Sequence, residues 1–202
     1  MLVHAYAQGL FPMADSRGGG LAFYAADPRG VIPLGEGGFH VRRSLAKALR
    51  RIEASPMPFI LRSDTAFAAV VAGCAQASSG REETWINAEI EQAYGELHAM
   101  GLAHSVEAWV RADDGTQQLV GGLYGVSLGG AFFGESMFSR RPYASQACLV
   151  ETVRLLRAGG YALFDTQMGN PHLAQFGCVE IAKGEYQRQL GKALGVAAGW
   201  GR

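Results

Sequence analysis

Three strand-like segments follow one another in the middle of the chain with only short turns between them. Residues 104–111 are followed by a turn at Asp113-Asp114-Gly115, and residues 118–128 and 130–138 come directly afterwards. Strands joined by such short turns pair antiparallel, because a parallel pair needs a long crossover connection. The sequence therefore predicts an antiparallel sheet at the centre of the fold.

Helical patterns flank these strands. Residues 41–52 place apolar side chains at helical spacing with basic residues beside them, so we expect this helix to pack on the core and expose its charges. Further helices are predicted over residues 1–8, 65–75 (with Asp64 as the N-cap), 87–100, 144–157 and about 171–176, and further strands over 59–61, 161–165 and 178–182. This order predicts an α+β fold with a mixed, mainly antiparallel sheet flanked by helices.

The first 38 residues are rich in glycine, proline and aromatic residues, which interrupt regular structure. We therefore expect turns and short strands after the first helix. The predicted organisation is a small irregular N-terminal subdomain over residues 1–38 and a main domain over residues 39–202.

Several classes of protein are disfavoured by composition. No apolar run approaches the roughly 18 residues of a membrane-spanning helix, and the first residues lack the basic start and apolar stretch of a secretory signal. Cys74, Cys148 and Cys178 are widely spaced and form no C-x-x-C pair, which argues against a zinc site and a disulfide framework. We therefore expect a cytoplasmic protein that binds neither a metal nor a membrane.

The charges are balanced overall but unevenly distributed. Lys and Arg number 18 and Asp and Glu number 18, so the net charge is zero. The predicted helix over 41–52 nevertheless contains a cluster of basic residues with no acidic residue among them: Arg42, Arg43, Lys47, Arg50 and Arg51. A neutral protein with one basic patch is suited to binding a polyanion at that patch alone.

The common catalytic signatures are incomplete. Gly134-Glu135-Ser136-Met137-Phe138 approaches the nucleophile elbow of hydrolases, but Phe138 stands where that motif requires glycine. Ser136 is therefore better read as a structural or substrate-facing residue than as a nucleophile. The glycines of residues 121–130 do not form a dinucleotide-binding fingerprint, and the histidines lack metal-ligand spacing.

Longer phrases carry a more specific signal. They include Ala5-Tyr6, Gly9-Leu10-Phe11-Pro12, Asp27-Pro28-Arg29-Gly30, Arg43-Ser44-Leu45, Thr84-Trp85-Ile86, Ala103-His104-Ser105-Val106-Glu107, Gly134-Glu135-Ser136-Met137-Phe138 and Asp165-Thr166-Gln167. In this order and spacing they resemble the leucyl/phenylalanyl-tRNA–protein transferase family over essentially the whole chain. Members of that family usually carry a further segment before the first of these phrases, so we expect a shortened N-terminal subdomain.

The resemblance implies a fold and a reaction. The fold is that of GNAT acetyltransferases, with aminoacyl-tRNA instead of acetyl-CoA as the acyl donor, so no cofactor is expected. The reaction is aminolysis, in which an acceptor protein with N-terminal Arg or Lys attacks the ester of Leu-tRNA or Phe-tRNA, with some leakage to Met-tRNA. The product is thereby marked for N-end-rule degradation.

The resemblance also implies roles for individual residues. Asp165 and Gln167 match the catalytic centre, where Asp165 would accept a proton or orient a group and Gln167 would hold the amine or the ester carbonyl. The substrate-binding residues would be Trp85 (stacking on the terminal adenine), Glu135, Ser136, Met137, Phe132, Phe133 and Met13, the last in a position that is commonly tryptophan. The tRNA-binding residues would be Arg43, Lys47, Arg50 and Arg51.

Two other functions remain open from the sequence. The first is a GNAT acetyltransferase that uses acetyl-CoA, although Pro142 removes an amide donor from the turn that would bind the pyrophosphate. The second is a non-catalytic module that binds tRNA or a degradation signal.

Overall fold

The computed structural model describes residues 1–14, 21–76 and 86–201. The helices are α1 (Leu2–Ala7), α2 (Arg43–Glu53), α3 (Phe67–Ala75), α4 (Ala88–Ala99), α5 (Ala144–Ala158), α6 (Pro171–Ala174) and α7 (Lys183–Leu194). The strands are β1 (Phe11–Ala14), β2 (Leu21–Tyr24), β3 (Arg29–Ile32), β4 (Ile60–Ser63), β5 (Ala103–Arg111), β6 (Gln117–Leu128), β7 (Ala131–Ser139), β8 (Leu163–Gln167) and β9 (Val179–Ile181). No helix within these ranges is long and apolar enough to cross a membrane.

The predicted α+β class and mainly antiparallel sheet are confirmed. Seven strands form one sheet in the order β4-β5-β6-β7-β8-β3-β9, and β1 and β2 form a separate hairpin. The neighbours β5, β6 and β7 pair antiparallel, whereas β7 and β8 pair parallel and are connected through α5. Because β3 lies between β8 and β9, residues 29–32 belong to the main sheet. The division of the chain at residue 38 remains a prediction.

The sheet separates two hydrophobic clusters. One contains α1, α3, α4 and α7 residues, and the other lies under α5. Alternation along β7 sends the ring of Phe133 into the first cluster and the ring of Phe132 into the second, and both residues are fully buried. The backbone between these two rings therefore runs through the centre of the molecule.

The basic helix has the predicted orientation. Leu45 packs against the cluster under α5, and Arg43, Lys47, Arg50 and Arg51 are exposed. None of these four cations forms an ion pair with another described residue. Their charge is therefore available to a partner.

The predicted helix cap at Asp64 is wrong. The Asp64 carboxylate instead accepts the Ser105 backbone N–H at 2.8 Å and contacts His104. The fully buried Glu107 takes the expected role, because its carboxylate accepts the N–H groups of Thr65 and Ala66, just before α3 begins, at 3.0 Å each. Glu107 of β5 thus accepts the N–H groups ahead of α3, in place of a capping residue close in sequence.

Helix α7 was not predicted. Its first turn follows Ala182, and it buries Tyr186, Leu190 and Ala193 on one face. These residues have the i, i+4, i+7 spacing of an amphipathic helix, so the pattern was present in the sequence. Tyr186 of this helix donates a hydrogen bond to Asp165 of β8.

Candidate active site

A buried ion pair lies where β8 meets β3. The Arg29 guanidinium donates two hydrogen bonds to Asp165, from Nε to Oδ1 at 2.9 Å and from Nη2 to Oδ2 at 2.7 Å. Asp165 also accepts the Tyr186 hydroxyl at 2.5 Å and the Gln167 backbone N–H at 2.8 Å. The side chains of Arg29 and Asp165 are 1% and 0% exposed. The Asp165 carboxylate is therefore occupied on both oxygens by protein donors.

Aromatic rings enclose the guanidinium of this pair. The Arg29 Cζ atom lies 4.8 Å from the centre of the Phe11 ring and 4.6 Å from that of Tyr186. Burial, and then the negative charge of Asp165, raise the pKa of the Tyr186 hydroxyl, so it stays protonated and donates. The cluster joins residues near both ends of the chain to β8.

A second carboxylate, that of Glu135 on β7, is largely buried. Tyr94 donates to its Oε2 at 2.7 Å, and the hydroxyls of Tyr6 and Tyr94 are hydrogen-bonded to each other at 2.7 Å. Burial raises the pKa of Glu135 to about 7, against the opposing effect of the hydrogen bond from Tyr94. Near neutral pH this carboxyl group is therefore present in both protonation states.

Removal of the Tyr94 hydroxyl should raise the pKa of Glu135 above 7. The hydroxyl stabilises the ionised carboxylate, so Tyr94→Phe removes a favourable interaction from that form alone. Titration of glutamate side chains labelled with ¹³C, followed by NMR, would measure the shift. The matched control is Tyr143→Phe, which changes an exposed tyrosine outside this network. An unchanged midpoint in Tyr94→Phe would show that this hydrogen bond does not set the proton affinity.

Gln167 links the two carboxylates. Its backbone N–H is held by Asp165, and its side-chain Nε2 lies 3.4 Å from Oε1 of Glu135. Its backbone has φ +58°, a left-handed conformation that is costly for a residue other than glycine. Asp165 and Arg29 thus fix the backbone from which the Gln167 amide projects.

Asp165 and Gln167 are buried and Thr166 between them is less so, the pattern of alternate residues on a strand. The Gln167 amide lies beside Glu135. The Asp165 carboxylate instead contacts Arg29 and Tyr186. The left-handed backbone of Gln167 ends β8, next to the register shift between Gly30 and Val31 in the adjacent β3.

Two cavities meet beside these residues. The inner cavity, of about 290 Å³, has a largely apolar wall: Leu123, Met137, Leu149, Phe164 and Leu173. The outer cavity, of about 430 Å³, is bordered by the hairpin and the β8–α6 connection: Phe11, Pro12, Met13, Met168 and Gly169. Both cavities share one polar wall: Glu135, Ser136, Thr166, Gln167 and Asn170. A molecule that extended from one cavity into the other would cross this wall.

Of the nine residues that the sequence selected for the catalytic centre and substrate binding, the structure brings five together at the cavities. Glu135, Ser136, Met137 and Gln167 line the inner cavity, and Met13 lines the outer one. Phe132 and Phe133 lie in the two hydrophobic clusters and line neither cavity, and Asp165 lies behind the polar wall. Trp85 lies outside the described residues. The basic residues of α2 are on the surface.

Sequence reasoning missed most of the residues that hold the polar wall in place. Tyr6 belongs only to a motif, Tyr94 only to the predicted helix over 87–100, and Tyr186 to no predicted element. Arg29 had a usable signal, because it is a charged residue at the start of an otherwise apolar strand, RGVI. Among residues 1–14, 21–76 and 86–201, no group of three or more His, Cys, Asp and Glu side chains could hold a metal ion.

Comparison with known proteins is consistent along the chain. The sequence profile of the family described as leucyl/phenylalanyl-tRNA protein transferase matches residues 31–191, and the profile of its N-terminal domain matches residues 1–27. Among solved structures, that of L-PGS from Bacillus licheniformis superposes with a TM-score of 0.47 at 12% identity, over 94% of this chain and 60% of the other. A likeness at that level indicates nothing about activity.

Individual relatives are much more similar in sequence. The leucyl/phenylalanyl-tRNA–protein transferase of Caulobacter vibrioides (strain NA1000 / CB15N) is 50% identical over 207 residues, which cover 98% of this chain and 89% of that protein. Those of Rubrobacter xylanophilus and Ruegeria sp. (strain TM1040) are 51% and 54% identical, over 96% of this chain and 93% and 85% of their own lengths. The chain belongs to the leucyl/phenylalanyl-tRNA protein transferase family.

Proposed function

We propose that this protein transfers leucine, phenylalanine or methionine from aminoacyl-tRNA to the α-amine of proteins that begin with Arg or Lys, and so marks them for degradation. The observation that carries the proposal is the polar wall shared by the two cavities. The inner cavity on one side of this wall can take an aminoacyl side chain, and the outer cavity on the other side can take an acceptor. The wall between them carries the Glu135 carboxylate and the Gln167 amide.

The inner cavity suits the side chain of the donor. Its apolar wall matches an unbranched β-carbon followed by an aliphatic or aromatic group, and Met137 adds a deformable thioether. An apolar pocket of this kind separates side chains that differ by one methylene by only about 1–3 kcal/mol. This modest discrimination supports acceptance of more than one aminoacyl group.

The outer cavity suits a cationic acceptor. Glu135 is the charged residue of its lining among the described residues, and no Lys or Arg side chain borders it there. The N-terminal amine of the acceptor would approach the ester carbonyl from this side. Its side chain, Arg or Lys, would remain in the outer cavity near the carboxylate.

Glu135 is the best-placed proton acceptor. As the acceptor nitrogen bonds to the ester carbon, it must lose a proton, and the ribose 3′ oxygen leaves with the electron pair of the broken ester bond. A carboxylate whose pKa is about 7 accepts such a proton effectively near neutral pH. Gln167 would hold the attacking amine or the carbonyl oxygen, and Asp165 would act as a positioning residue behind it.

The exposed cations of α2 would hold the tRNA. Arg43, Lys47, Arg50 and Arg51 have no ion-pair partner among the described residues, so they can contact phosphates. Contacts to the backbone suit an enzyme that accepts several tRNA sequences. We also propose a cytoplasmic location, on the basis of the wide spacing of the cysteines and the absence of a C-x-x-C pair from the sequence.

A transfer assay tests this function. Leu-tRNA with radiolabelled leucine is incubated with a peptide that begins with Arg, and a peptide that begins with Gly serves as the matched acceptor. Labelled acetyl-CoA replaces the donor in a parallel reaction. We expect leucine to appear on the Arg peptide alone. Acetyl transfer, or tRNA binding without transfer, would reject the proposal.

A further inference from the structure

A third cavity lies apart from the polar wall, where the first turns of α2 and α5 meet α6. It has a volume of about 160 Å³, enough for one nucleobase and too little for a duplex. Its lining includes the exposed ring of Tyr143 and the half-buried ring of His172. The ring of Phe176, in contrast, is nearly fully buried and stacked on that of Phe39. Arg42 stands at its rim. The cavity therefore combines a ring surface with a cation.

Its polar groups have unused hydrogen-bonding capacity. Within the described part of the chain, the half-buried side chains of Gln146 and His172 form no hydrogen bond. Gln175 uses only its amide nitrogen, at 3.4 Å from the Pro171 carbonyl. Burial lowers the pKa of His172, so its ring is neutral at neutral pH and can both donate and accept. These groups match the edge of a base, which presents donors and acceptors together.

The backbone at the cavity is also unusual. Tyr143 precedes the first residue of α5 with φ +71°, in the left-handed region, and its side chain is exposed. A residue other than glycine held in this conformation costs about 1–3 kcal/mol, and such residues cluster at ligand-binding sites. Tyr143 lines the cavity from this position.

The position of the cavity is its most informative property. Gln146 lines it, and Leu149, three residues further on in α5, lines the inner cavity. Residues three apart are neighbours on a helix, about 5–6 Å between their β-carbons. His172 and Leu173 make the same connection through α6. The third cavity thus lies between the basic face of α2 and the inner cavity.

We infer that this cavity binds the nucleotide immediately 5′ of the aminoacylated adenosine, a cytidylate in tRNA. The inference rests on the proposed function and extends it. A duplex held by α2 must reach the inner cavity through a single strand, and the cavity lies on that route. The base would stack on the exposed ring of Tyr143, and Gln146 and His172 would contact its edge. Arg42 would contact the phosphate.

Small donors test this directly. We would compare kcat/KM for leucyl-adenosine, leucyl-adenosine 5′-phosphate and the leucyl ester of cytidylyl-(3′,5′)-adenosine. Because base stacking contributes on the order of tenfold or more in affinity, the dinucleotide should exceed leucyl-adenosine by about tenfold in the unmodified protein. The phosphate alone should give only part of that gain.

Substitutions in the cavity test whether its residues produce the advantage of the dinucleotide donor in kcat/KM. Gln146→Ala and His172→Ala should each reduce the advantage of the dinucleotide to about threefold or less, with leucyl-adenosine turnover unchanged. Gln92→Ala, at an exposed position on α4, is the matched control and should keep the full advantage. An undiminished advantage in both cavity variants, no advantage in the unmodified protein, or a full advantage from the phosphate alone would overturn the inference. Failure of every donor, including leucyl-adenosine, would instead reject the proposed function.

Discussion

Asp165→Ala is expected to lower the free energy of unfolding by about 3–5 kcal/mol, because it leaves the Arg29 guanidinium buried without its counter-charge. The two strong hydrogen bonds from Arg29 and those from Tyr186 and Gln167 are lost together. Urea unfolding monitored by circular dichroism would measure the change. Glu180→Ala, an exposed carboxylate on β9, is the control and should change stability by less than about 0.5 kcal/mol.

A double variant distinguishes the stability lost with the whole Arg29–Asp165 ion pair from the stability lost when one of its charges is left unpaired. Arg29→Met combined with Asp165→Leu should cost less than the sum of the two single variants, because no charge is then left buried. Where Asp165→Ala remains folded, turnover should still fall by about two orders of magnitude or more, since the strained Gln167 backbone loses its anchor. Full additivity, or normal turnover in folded Asp165→Ala, would contradict the positioning role.

Glu135→Gln should reduce turnover by about 10²–10⁴-fold with little effect on binding of tRNA. The amide keeps the size of the side chain but cannot accept the proton of the attacking amine. In the unmodified protein, kcat/KM should rise as the pH increases through about 7, when Glu135 ionises. The variant should lose this rise and retain only the later one from deprotonation of the acceptor amine, whose pKa is about 7.7–8.0.

The loss in Glu135→Gln should not come from unfolding. The folded-state pKa of Glu135 is raised, so its contribution to stability is complete below the pKa of an unfolded-chain glutamate and is lost as the pH rises through about 7. Above that pH a neutral glutamine is expected to be at least as stable as the carboxylate. Glu96→Gln, on the exposed surface of α4, serves as the matched control for activity. An unchanged rate and pH profile in Glu135→Gln would exclude this residue as the proton acceptor.

Patterns local in sequence predicted much of the fold. The short turns between residues 104 and 138 led correctly to three antiparallel strands, and the apolar spacing of residues 41–52 gave the right face of α2. In each case the residues that decide the structure lie within a few positions of each other.

The missed features depend on partners that are distant in sequence. Arg29 and Asp165 are separated by 136 residues, and Tyr6 and Tyr94 by 88. No periodic pattern couples such positions, because the pairing is created by the order of strands in the sheet. The left-handed backbone of Gln167 also could not be predicted locally, because glutamine has no preference for this conformation. It is held by Asp165 and lies beside the bulge in β3.

The hydrogen bond from Tyr186 to Asp165 makes the assembly of the site depend on α7, which is synthesised after β8. During synthesis β8 leaves the ribosome before α7, and Gln187 of α7 also holds the carbonyl of Gln8 near the chain's start. Contacts of such long sequence separation form late, because closing the intervening loops costs entropy first. Transfer activity is accordingly expected only after α7 has emerged and packed against β8.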